Sequence, residues 1–503
     1  MRFEWWIRAA ALSLVSVGLS TLPRPTAVGD EVFQVVLGER QLFVDDVGTD
    51  QMSNLIRTMH QPEKRGALIR PDKFQGEEAI QVRGAPVWDP HQRVFMYWLS
   101  GTKARYRTSP DGLHWTAVFP DGLSSATAGS SMMVRDPADR DPTRRFKAVR
   151  QSSGFVVSPD GIRWTKLDVP PIPGRDEGNF SYNSQHGLFI HTYKRGGPYG
   201  RSVGLATSTD FERWTDHGLI FHADAEDQRV GRQRIAARFA DPNLHHPAYD
   251  IPATYNVDVY NMAVFRYESL YFGLPQMYHQ TGKVPPDWPG FDKLPISDEM
   301  LVNYRRDGDW AGFHDVQLMS SRDLKSWRRL GNREPFLTAS HLGAGAWDEC
   351  SVSPPSYPLV HGDELWFYYT GAKYYGPVLL EHGRHRPSNA ICLAVLRRDG
   401  FMSLDAGPAP GTVSTKPFVL PGPELFVNID ARAGSLQVEA LDAAGKVIGA
   451  SRKISGDRPH GKVSWESSQL GQLAEKVVRL RFTLRNGSLY SYWFEGGRRH
   501  TDQ

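Results

Sequence analysis

Cysteine is almost missing from this chain of 503 residues, which contains only Cys350 and Cys392. A framework of disulfide bridges is therefore excluded as the source of stability. The two cysteines fall on predicted strands that a third strand separates, and such strands lie about 9–10 Å apart. That distance is too large for a disulfide bond, so the sequence predicts two buried free thiols.

An excess of charge of either sign is also lacking, because 59 Lys and Arg residues face 56 Asp and Glu residues. No basic stripe along the chain could follow a phosphate backbone. Nucleic acid is therefore not expected as a partner.

Long apolar runs are missing except near the N-terminus. Residues 9–22 form an apolar stretch. Arg2 and Arg8 precede this stretch, and the small residues Ala27-Val28-Gly29 follow it. This pattern is typical of a secretion signal, and the run is too short to span a bilayer comfortably. We predict a signal peptide over residues 1–29 and a secreted or periplasmic protein that does not insert into the membrane after signal cleavage. A retained N-terminal anchor is the alternative.

Aromatic residues and turn formers are abundant. The chain has 14 Trp, 19 Tyr and 24 Phe residues together with 47 Gly and 35 Pro residues. This balance favours an all-β protein with many turns over a helical one.

A seven-residue phrase, Ser-x-Asp-x-x-x-Trp, occurs four times, at residues 109–115, 158–164, 208–214 and 321–327. The first three copies begin about 50 residues apart, which suits a repeated four-stranded blade. The Asp favours a tight turn between strands, and we expect the Trp to pack under the next unit. With a weaker copy at residues 398–401, the repeat predicts a five-bladed β-propeller over residues 30–415. Residues 32–36 or 42–44 are expected to complete the last blade.

The pattern changes beyond the propeller. From about Lys416 the phrase disappears, and short segments with alternating apolar residues follow. Asn486-Gly487 lies between the last two of them, a strong signal for a hairpin turn. Residues 416–503 are therefore predicted to form a small C-terminal β-sandwich.

The blade phrase at residues 321–327, Ser-Arg-Asp-Leu-Lys-Ser-Trp, resembles the blade ends of the glycoside hydrolase propeller superfamily, which includes families 32, 43 and 68. More narrowly, the chain resembles exported bacterial proteins described as family 32-like, through residues 42–46, 60–62, 267–270, 396–401 and 425–428. The resemblance implies a carbohydrate as the partner and cleavage of a glycosidic bond. It does not by itself fix the reaction, since one fold hosts many functions.

Glycosidic cleavage needs two carboxyl groups, and in a propeller the inner strands bring their starts to one mouth of the ring. The acids at these starts are the catalytic candidates: Glu78, Asp176, Asp258 and Glu349. Substrate-binding candidates near them are Arg83, Arg175, Tyr260 and Trp347. Each acid taken alone is more often a solvated loop residue or a turn former, and only the set favours an active site.

Two segments copy motifs of family 32 at other positions. Arg135-Asp136-Pro137 matches its transition-state-stabiliser motif but follows an inner strand, which favours a hairpin turn. Glu349-Cys350 matches its acid motif, but in the last blade instead of the third, so the role does not transfer directly.

The function expected from the sequence is an exported glycoside hydrolase without a cofactor or an obligate protein partner. The His245-His246 pair lacks a spaced carboxylate or Cys partner, so no catalytic metal is expected. A non-catalytic carbohydrate-binding propeller is the first alternative. A glycoside phosphorylase is the second, with the Arg-rich residues 229–238 as a possible phosphate site, and a sialidase is a minor third.

Overall fold

The computed structural model describes residues 33–72, 74, 77, 79–101, 106–119, 132–150, 154–174, 176–289, 291, 302, 305–306, 308–373, 388–466 and 476–496. The predicted signal peptide, Glu78 and Arg175 lie outside these ranges. Within them, no helix has both the length and the apolar character needed to cross a membrane.

Five antiparallel sheets form the five blades of a β-propeller, which confirms the predicted fold. Blade 1 consists of Val87–Asp89, Val94–Trp98, Tyr106–Ser109 and Thr116–Val118. Blade 2 consists of Met133–Arg135, Phe146–Val149, Phe155–Ser158 and Thr165–Lys166. Blade 3 consists of Gly178–Asn183, Leu188–Gly197, Gly200–Ser208 and Thr215–Phe221.

The last two blades are more elaborate. Blade 4 consists of Asn256–Tyr267, Leu270–Val284, Met319–Ser321 and Arg328–Arg329, with Asp309–Val316 paired to the far half of its second strand. Blade 5 consists of Ser351–Ser353, Glu364–Ala372 and Asn389–Arg397, with Leu359–His361 beside its second strand and Glu63–Ile69 at its outer edge.

The N-terminal part of the chain closes the ring, but with a different strand from the one expected. Glu63–Ile69 pairs with Asn389–Arg397 as the outer strand of blade 5. The expectation that residues 32–36 or 42–44 fill this place is wrong. Phe33 forms a bridge with Phe418, and Gln41–Leu42 pairs with Ser491 and Tyr492 in the second sheet. Pairing between remote strands depends on which open edge remains, and local sequence does not encode that.

The repeated phrase forms the same turn after the third strand in blades 1 to 4. In blade 1, the Ser109 hydroxyl accepts the backbone N–H of Gly112 at 2.8 Å, and Asp111 accepts the N–H groups of Leu113 and His114. The fourth residue of each copy has a positive φ: Gly112 (77°), Gly161 (76°), Phe211 (63°) and Leu324 (65°). Glycine adopts this conformation without strain, whereas the other two residues do not.

The tryptophan of each phrase packs against the preceding blade, so the expectation that it packs under the next unit is wrong. Trp214 of blade 3 stacks on Phe155 of blade 2, with ring centroids 4.7 Å apart. Trp115 of blade 1 meets Tyr368 of blade 5 at 6.0 Å. The turn folds back over the third strand and carries the indole ring toward the earlier blade, where it joins the interblade core.

A helix occupies part of the segment between blades 3 and 4. The all-β prediction from the sequence did not include it. It runs over Ala225–Ala240 and begins with a capping box between Asp224 and Asp227. Arg329 and Arg333 both bind Asp227, which ties the helix to blade 4. The periodicity is hidden because the helix is polar on most of its surface and buries few residues.

The C-terminal residues form a separate curled sheet around its own core, which confirms the predicted sandwich. Its strands are Gln41–Leu42, Thr49–Ser53, Ile56–Met59, Met402–Ala406, Gly411–Thr415, Phe418–Val419, Glu424–Leu441, Val447–Ala450, Ile454–Lys462, Val477–Arg485 and Gly487–Glu495. The sheet thus includes strands on both sides of the predicted boundary at residue 416, and three strands from near the N-terminus.

The hairpin predicted at Asn486-Gly487 is wrong. Gly487–Glu495 pairs with the first half of Glu424–Leu441, and Val477–Arg485 pairs with its second half. The long central strand bends between these halves, where a Cβ on Gly434 would come within 1.8 Å of the Arg485 carbonyl oxygen. Asn486-Gly487 is therefore a corner between two layers of the sandwich.

Asp399, in the weak fifth copy of the phrase, is a buried junction between the propeller and the sandwich. Its carboxylate binds Arg40 at 2.6 Å and accepts hydrogen bonds from Tyr267, Asn428 and Ser491. These partners come from the N-terminal segment, blade 4 and the second sheet. One side chain therefore connects three separate parts of the chain.

The two cysteines form no disulfide bond with each other and are buried, as predicted. Cys350 directly precedes the inner strand of blade 5, and Cys392 lies on the third strand of that blade. The second strand, Glu364–Ala372, separates them.

Candidate functional site

The inner strands of several blades meet at the propeller axis through polar contacts. The Ser356 hydroxyl donates to the carbonyl oxygen of Arg83 at 2.6 Å, and Asn179 of blade 3 donates to Asn261 of blade 4 at 3.4 Å. Ser356 also contacts Asn179. Segments far apart in the sequence are thus held together at the centre of the ring.

Arg83 and Glu177 form a two-bond ion pair between blades 1 and 3. Arg83 Nε and Nη2 donate to the two carboxylate oxygens of Glu177 at 2.9 and 3.0 Å. The side chains are only 12% and 10% exposed. Charge-assisted pairs of this geometry are strong and fix the orientation of both groups.

Tyr260 lies beside this pair. Its ring meets His314 edge-on with centroids 4.8 Å apart, while Lys194 Nζ and Arg201 Cζ lie 5.2 and 5.4 Å from the ring centroid. Burial, with the added effect of the nearby Glu177 carboxylate, raises the pKa of Tyr260 to about 12. The phenol therefore keeps its proton at neutral pH and is a hydrogen-bond donor.

Asp258 is a buried carboxyl group, and among the residues described only one of its two oxygens accepts hydrogen bonds. Its Oδ2 accepts the Arg201 N–H at 3.2 Å, Arg201 Nη1 at 3.1 Å and Gln280 Nε2 at 2.9 Å. Its Oδ1 is buried and has no hydrogen-bond partner among the residues described. Burial raises the pKa of Asp258 and outweighs the opposing charge of Arg201. This shift favours the protonated form more than in an ordinary aspartate, and Oδ1 is the oxygen left for the proton.

Asp176, unlike Asp258, is an exposed carboxylate. Its side chain is 72% exposed and forms an ion pair with Lys194. Partial burial acts to raise the pKa of Asp176, but the hydrogen bond and charge of Lys194, together with Arg201, lower the pKa overall. Asp176 is therefore ionised over a wider pH range than an ordinary carboxyl group.

An open groove of about 960 Å³ runs beside these groups. Its charged lining residues are Asp176, Lys194, Arg195 and Arg201, and several glycines and Pro173 complete it. Tyr260 and Asp258 lie behind Lys194 and Arg201. Four predicted residues, Arg83, Asp176, Asp258 and Tyr260, are thus linked through Lys194, Arg201 and Glu177.

Glu349 and Trp347, the other two predicted residues that the structure describes, are not joined to this cluster. Glu349 is half-buried, and its carbonyl oxygen accepts a hydrogen bond from Arg238 at 3.1 Å. Within the residues described, no hydrogen bond or ion pair connects its side chain with Asp176 or Asp258. Trp347 is half-buried under Lys373, whose Nζ lies 4.9 Å from the ring centroid.

Three residues of the cluster, Lys194, Arg201 and Gln280, were not expected from the sequence. Lys194 and Arg201 lie near the turn between the second and third strands of blade 3, not at the start of an inner strand. A signal was present in the basic, glycine-rich run Lys-Arg-Gly-Gly-Pro-Tyr-Gly-Arg at residues 194–201. Antiparallel pairing of Gly178 with Tyr193 places this run next to Asp176 and Glu177.

His314 supports the cluster from behind. It lies on the strand Asp309–Val316 and is 1% exposed. Its Nδ1 hydrogen-bonds with Ser351 at 2.7 Å, and its ring stacks on Tyr278 at 4.5 Å. Burial, followed by the nearby His279 and Arg201, lowers the pKa of His314 well below its ordinary value. The imidazole is therefore neutral.

Two other segments named by the sequence lie outside the groove. Asp136 follows the inner strand of blade 2 and pairs with Lys147 at 2.9 Å, as expected for a hairpin turn. The arginines of residues 229–238 lie on the helix, where Arg238 binds the carbonyl oxygen of His245 and Arg234 pairs with Asp315. Among the residues described, no group of three or more His, Cys, Asp and Glu side chains could hold a metal ion.

No protein-family model and no curated protein matches the sequence. Among solved structures, a complex of BT0996 with RGII shares 11% identity over 67% of this chain and 92% of its own, with a TM-score of 0.38. A GH32 β-fructofuranosidase of Bombyx mori shares 9% identity over 86% of this chain and 94% of its own, with a TM-score of 0.35.

A third solved structure is a β-1,2-mannobiose phosphorylase from Listeria innocua in complex with β-1,2-mannobiose. It shares 12% identity over 75% of this chain and 93% of its own, with a TM-score of 0.27. The structures similar to this chain thus include glycoside hydrolases, a phosphorylase and complexes with carbohydrates. At these identities and TM-scores, the similarities say nothing about the activity of this chain.

Proposed function

We propose that this protein is an exported enzyme that cleaves glycosidic bonds of oligosaccharides or polysaccharides at the groove of blade 3. The observation that carries the proposal is the contrast between two nearby carboxyl groups. The pKa of Asp258 is raised by burial, and the pKa of Asp176 is lowered by Lys194 despite partial burial. Paired titratable groups whose pKa values are pushed apart are a recurrent arrangement for acid and base catalysis.

Asp258 acts as the proton donor in this proposal. The proton on Oδ1 passes to the glycosidic oxygen as the bond from that oxygen to the anomeric carbon breaks. Asp176, which is exposed and ionised, takes a proton from the attacking water. The water oxygen bonds to the anomeric carbon, so the reaction is a hydrolysis with no other reactant.

The hairpin turn of blade 3 must move for this step. Asp258 is 2% exposed, and Gly200 and Arg201 lie over it. In the proposed reaction this turn shifts outward and admits the substrate to Asp258. Arg201 then exchanges its contact with Asp258 for contacts with the substrate.

Glu78 and Glu349 stay candidate carboxylates of the same proposal, and Arg83, Arg175, Tyr260 and Trp347 stay candidates for holding the substrate. Export also belongs to the proposal and is supported by the sequence of residues 1–29. A reporter fused after residue 29 that remains in the cytoplasm would contradict export.

A second candidate function is carbohydrate binding without catalysis. One observation favours it: Glu177, Asp176 and Asp258 each have a cationic partner, Arg83, Lys194 and Arg201 respectively. A protein that only binds glycan could keep such pairs as a rigid, electrostatically balanced floor. Catalysis instead requires that at least one of the pairs opens.

A screen for released reducing ends across neutral and acidic glycans, with and without inorganic phosphate, separates these functions. We expect release by the wild type and a loss of about 10²- to 10⁴-fold for Asp258→Asn and for Asp176→Asn. Glu349→Gln and Glu78→Gln complete the set. Asp46→Asn is the control for Asp176→Asn, since Asp46 is likewise an exposed Asp in an ion pair with a basic residue. Binding without release by any variant or by the wild type would favour the non-catalytic function.

A further inference from the structure

The groove of blade 3 has more positive than negative charge. Among the residues described, its lining contains the three cationic side chains of Lys194, Arg195 and Arg201 and one carboxylate, that of Asp176. Asp258, which binds Arg201 from behind, is 2% exposed and does not line the groove. A ligand in the groove therefore meets more cationic than anionic lining residues, although the whole chain is nearly neutral.

The cations of the groove differ in their exposure and in the groups that they contact. Lys194 is held between Asp176 and the ring of Tyr260, and its side chain is 10% exposed. The Arg201 side chain is 32% exposed and lies over the rings of Tyr260 and Tyr278. Three fixed donors around one opening are a good receptor for an oxyanion, since Arg and Lys hydrogen bonds to anionic oxygens are among the strong ones.

Arg195 is the cation least involved with the proposed acid and base. Its Nη1 donates a hydrogen bond to the Tyr193 hydroxyl at 3.2 Å and lies 3.6 Å from Asp216 Oδ2. The Arg195 side chain is 41% exposed. The neighbouring Gly196 faces open space, because a Cβ added there would meet nothing within 4 Å. The groove therefore has room for a charged substituent beside Arg195.

We propose that the substrate is an acidic glycan, with a uronic acid carboxylate or a sulfate ester next to the bond that is cleaved. Lys194, Arg195 and Arg201 receive this group, while Asp258 and Asp176 face the bond. The inference rests on the proposed function and extends it by naming the substrate class. A neutral glycan would leave the cations of the groove without an anionic partner from the ligand, and attraction between opposite charges also speeds encounter.

Calorimetric binding to matched ligands tests the inference. The ligands are oligogalacturonides and their methyl esters, a sulfated galactan oligosaccharide and its desulfated form, and inorganic phosphate. The proteins carry Asp258→Asn, to prevent turnover, alone or with Arg195→Gln or Arg213→Gln. Arg213 is the matched control, an arginine of the same blade that is paired with Asp210 and lies outside the groove.

We expect an acidic ligand to bind more tightly than its neutral form, with a Kd that rises between about 0.02 M and 0.5 M salt. Arg195→Gln should raise that Kd about twofold to fivefold, the range of exposed ion pairs, and Arg213→Gln should leave it unchanged. The carboxylate and sulfate ligands decide which acidic group is preferred.

The outcomes separate the inference from the proposed function. Tight, salt-sensitive binding of acidic ligands supports the inference even if the wild type releases no reducing ends, and only the proposed hydrolysis then fails. Equal binding of acidic and neutral ligands, or equal Kd values for Arg195→Gln and Arg213→Gln, overturns the inference while hydrolysis of a neutral glycan stands. Cleavage of neutral glycans that requires phosphate also overturns it, since phosphate would then be the anion of the groove.

Discussion

At the scale of single residues, Asp258 and Asp176 show how one groove can favour a proton on one carboxyl group and disfavour it on another. The buried Asp258 faces a large cost of ionisation, which Arg201 and Gln280 offset only in part. Asp176 is mostly exposed and has Lys194 as its partner. Solvent access and the balance of neighbouring charges therefore shift the pKa values of two residues of the same type in opposite directions.

The pH dependence of hydrolysis follows from these two directions. The proposed reaction requires ionised Asp176 and protonated Asp258, so kcat/KM should fall at low pH as Asp176 gains its proton. It should fall at high pH as Asp258 loses its proton. In Asp258→Asn, the residual rate should be about 10²- to 10⁴-fold lower and should lose the high-pH decline. A high-pH decline that persists in Asp258→Asn would contradict this assignment.

Part of the cluster could be predicted from the sequence because position within a blade is periodic. Arg83, Asp176, Asp258 and Tyr260 lie at or near the starts of inner strands, where propeller geometry brings residues together. Lys194 and Arg201 were not predicted because they reach the same groove from the ends of the second and third strands, not from the start of an inner strand. Their contribution depends on how far the second and third strands of blade 3 extend, and the repeated phrase does not encode that length.

At the scale of elements, the turn that follows each third strand sets how closely the blades pack. Gly161 has a φ of 76°, and a Cβ there would lie 2.4 Å from the indole ring of Trp98 in blade 1. The Trp98 indole also donates to the Gly161 carbonyl oxygen at 2.8 Å. The glycine therefore serves both a left-handed turn and a close contact between blades.

Gly161→Ala should lower the free energy of unfolding through both effects. The left-handed conformation costs about 1–2 kcal/mol for a residue with a Cβ, and overpacking costs about 1–3 kcal/mol more. Gly445→Ala is the control, since Gly445 has a φ of 82° but nothing within 4 Å of an added Cβ. Urea unfolding should show the larger loss for Gly161→Ala, and equal losses would mean that the contact with Trp98 does not matter.

The turn of blade 3 offers a second test, of catalysis instead of stability. Gly200 has a φ of 107°, and a Cβ there would lie 3.0 Å from Asp258 Oδ2. Gly200→Ala should press on the Asp258 side chain and misplace the proposed acid, which should lower kcat by about tenfold or more. Gly187→Ala, with a φ of 60° and open space around the added Cβ, should retain wild-type kcat. Steady-state kinetics on one substrate distinguish the two variants, and an unchanged kcat for Gly200→Ala would count against the role of this turn.

At the scale of the whole molecule, Asp399 couples the propeller to the sandwich. Burial acts to raise its pKa, but Arg40, Ser491, Tyr267 and Asn428 outweigh burial and lower it. Because the pKa is lower in the folded state, this contribution to stability is present above the ordinary carboxyl pKa. It is lost as the pH falls through the folded-state pKa.

Asp399→Asn should destabilise the protein by about 3–5 kcal/mol, because it leaves the charge of Arg40 buried without its partner. We expect calorimetric unfolding to separate into two transitions as the two units lose their junction, and the acid dependence of stability to weaken. Asp457→Asn is the control, as Asp457 forms a partly exposed pair with Arg397 and should cost at most about 1 kcal/mol. A single transition with wild-type stability for Asp399→Asn would contradict the coupling.

The architecture itself was predictable because four copies of one turn, each ending in a tryptophan that packs between blades, specify the blade locally. The closing strand Glu63–Ile69 and the corner at Asn486-Gly487 were not predictable. A strand finds its edge through the whole sheet, and a turn sequence that suits a hairpin also suits a corner when the bent strand Glu424–Leu441 offers two halves. Local sequence thus fixes the repeating unit, and long-range pairing fixes how the units are joined.

The outer strand of blade 5 has a consequence for the order in which the chain folds during synthesis. Glu63–Ile69 emerges from the ribosome early, yet its partner Asn389–Arg397 follows more than half of the chain later. The strands Thr49–Ser53 and Ile56–Met59 wait still longer for theirs. The propeller ring therefore cannot close before Asn389–Arg397 has been made, and the early strands stay without their partners until then. Closure of the ring is a late event, slowed by the entropy of closing so large a loop.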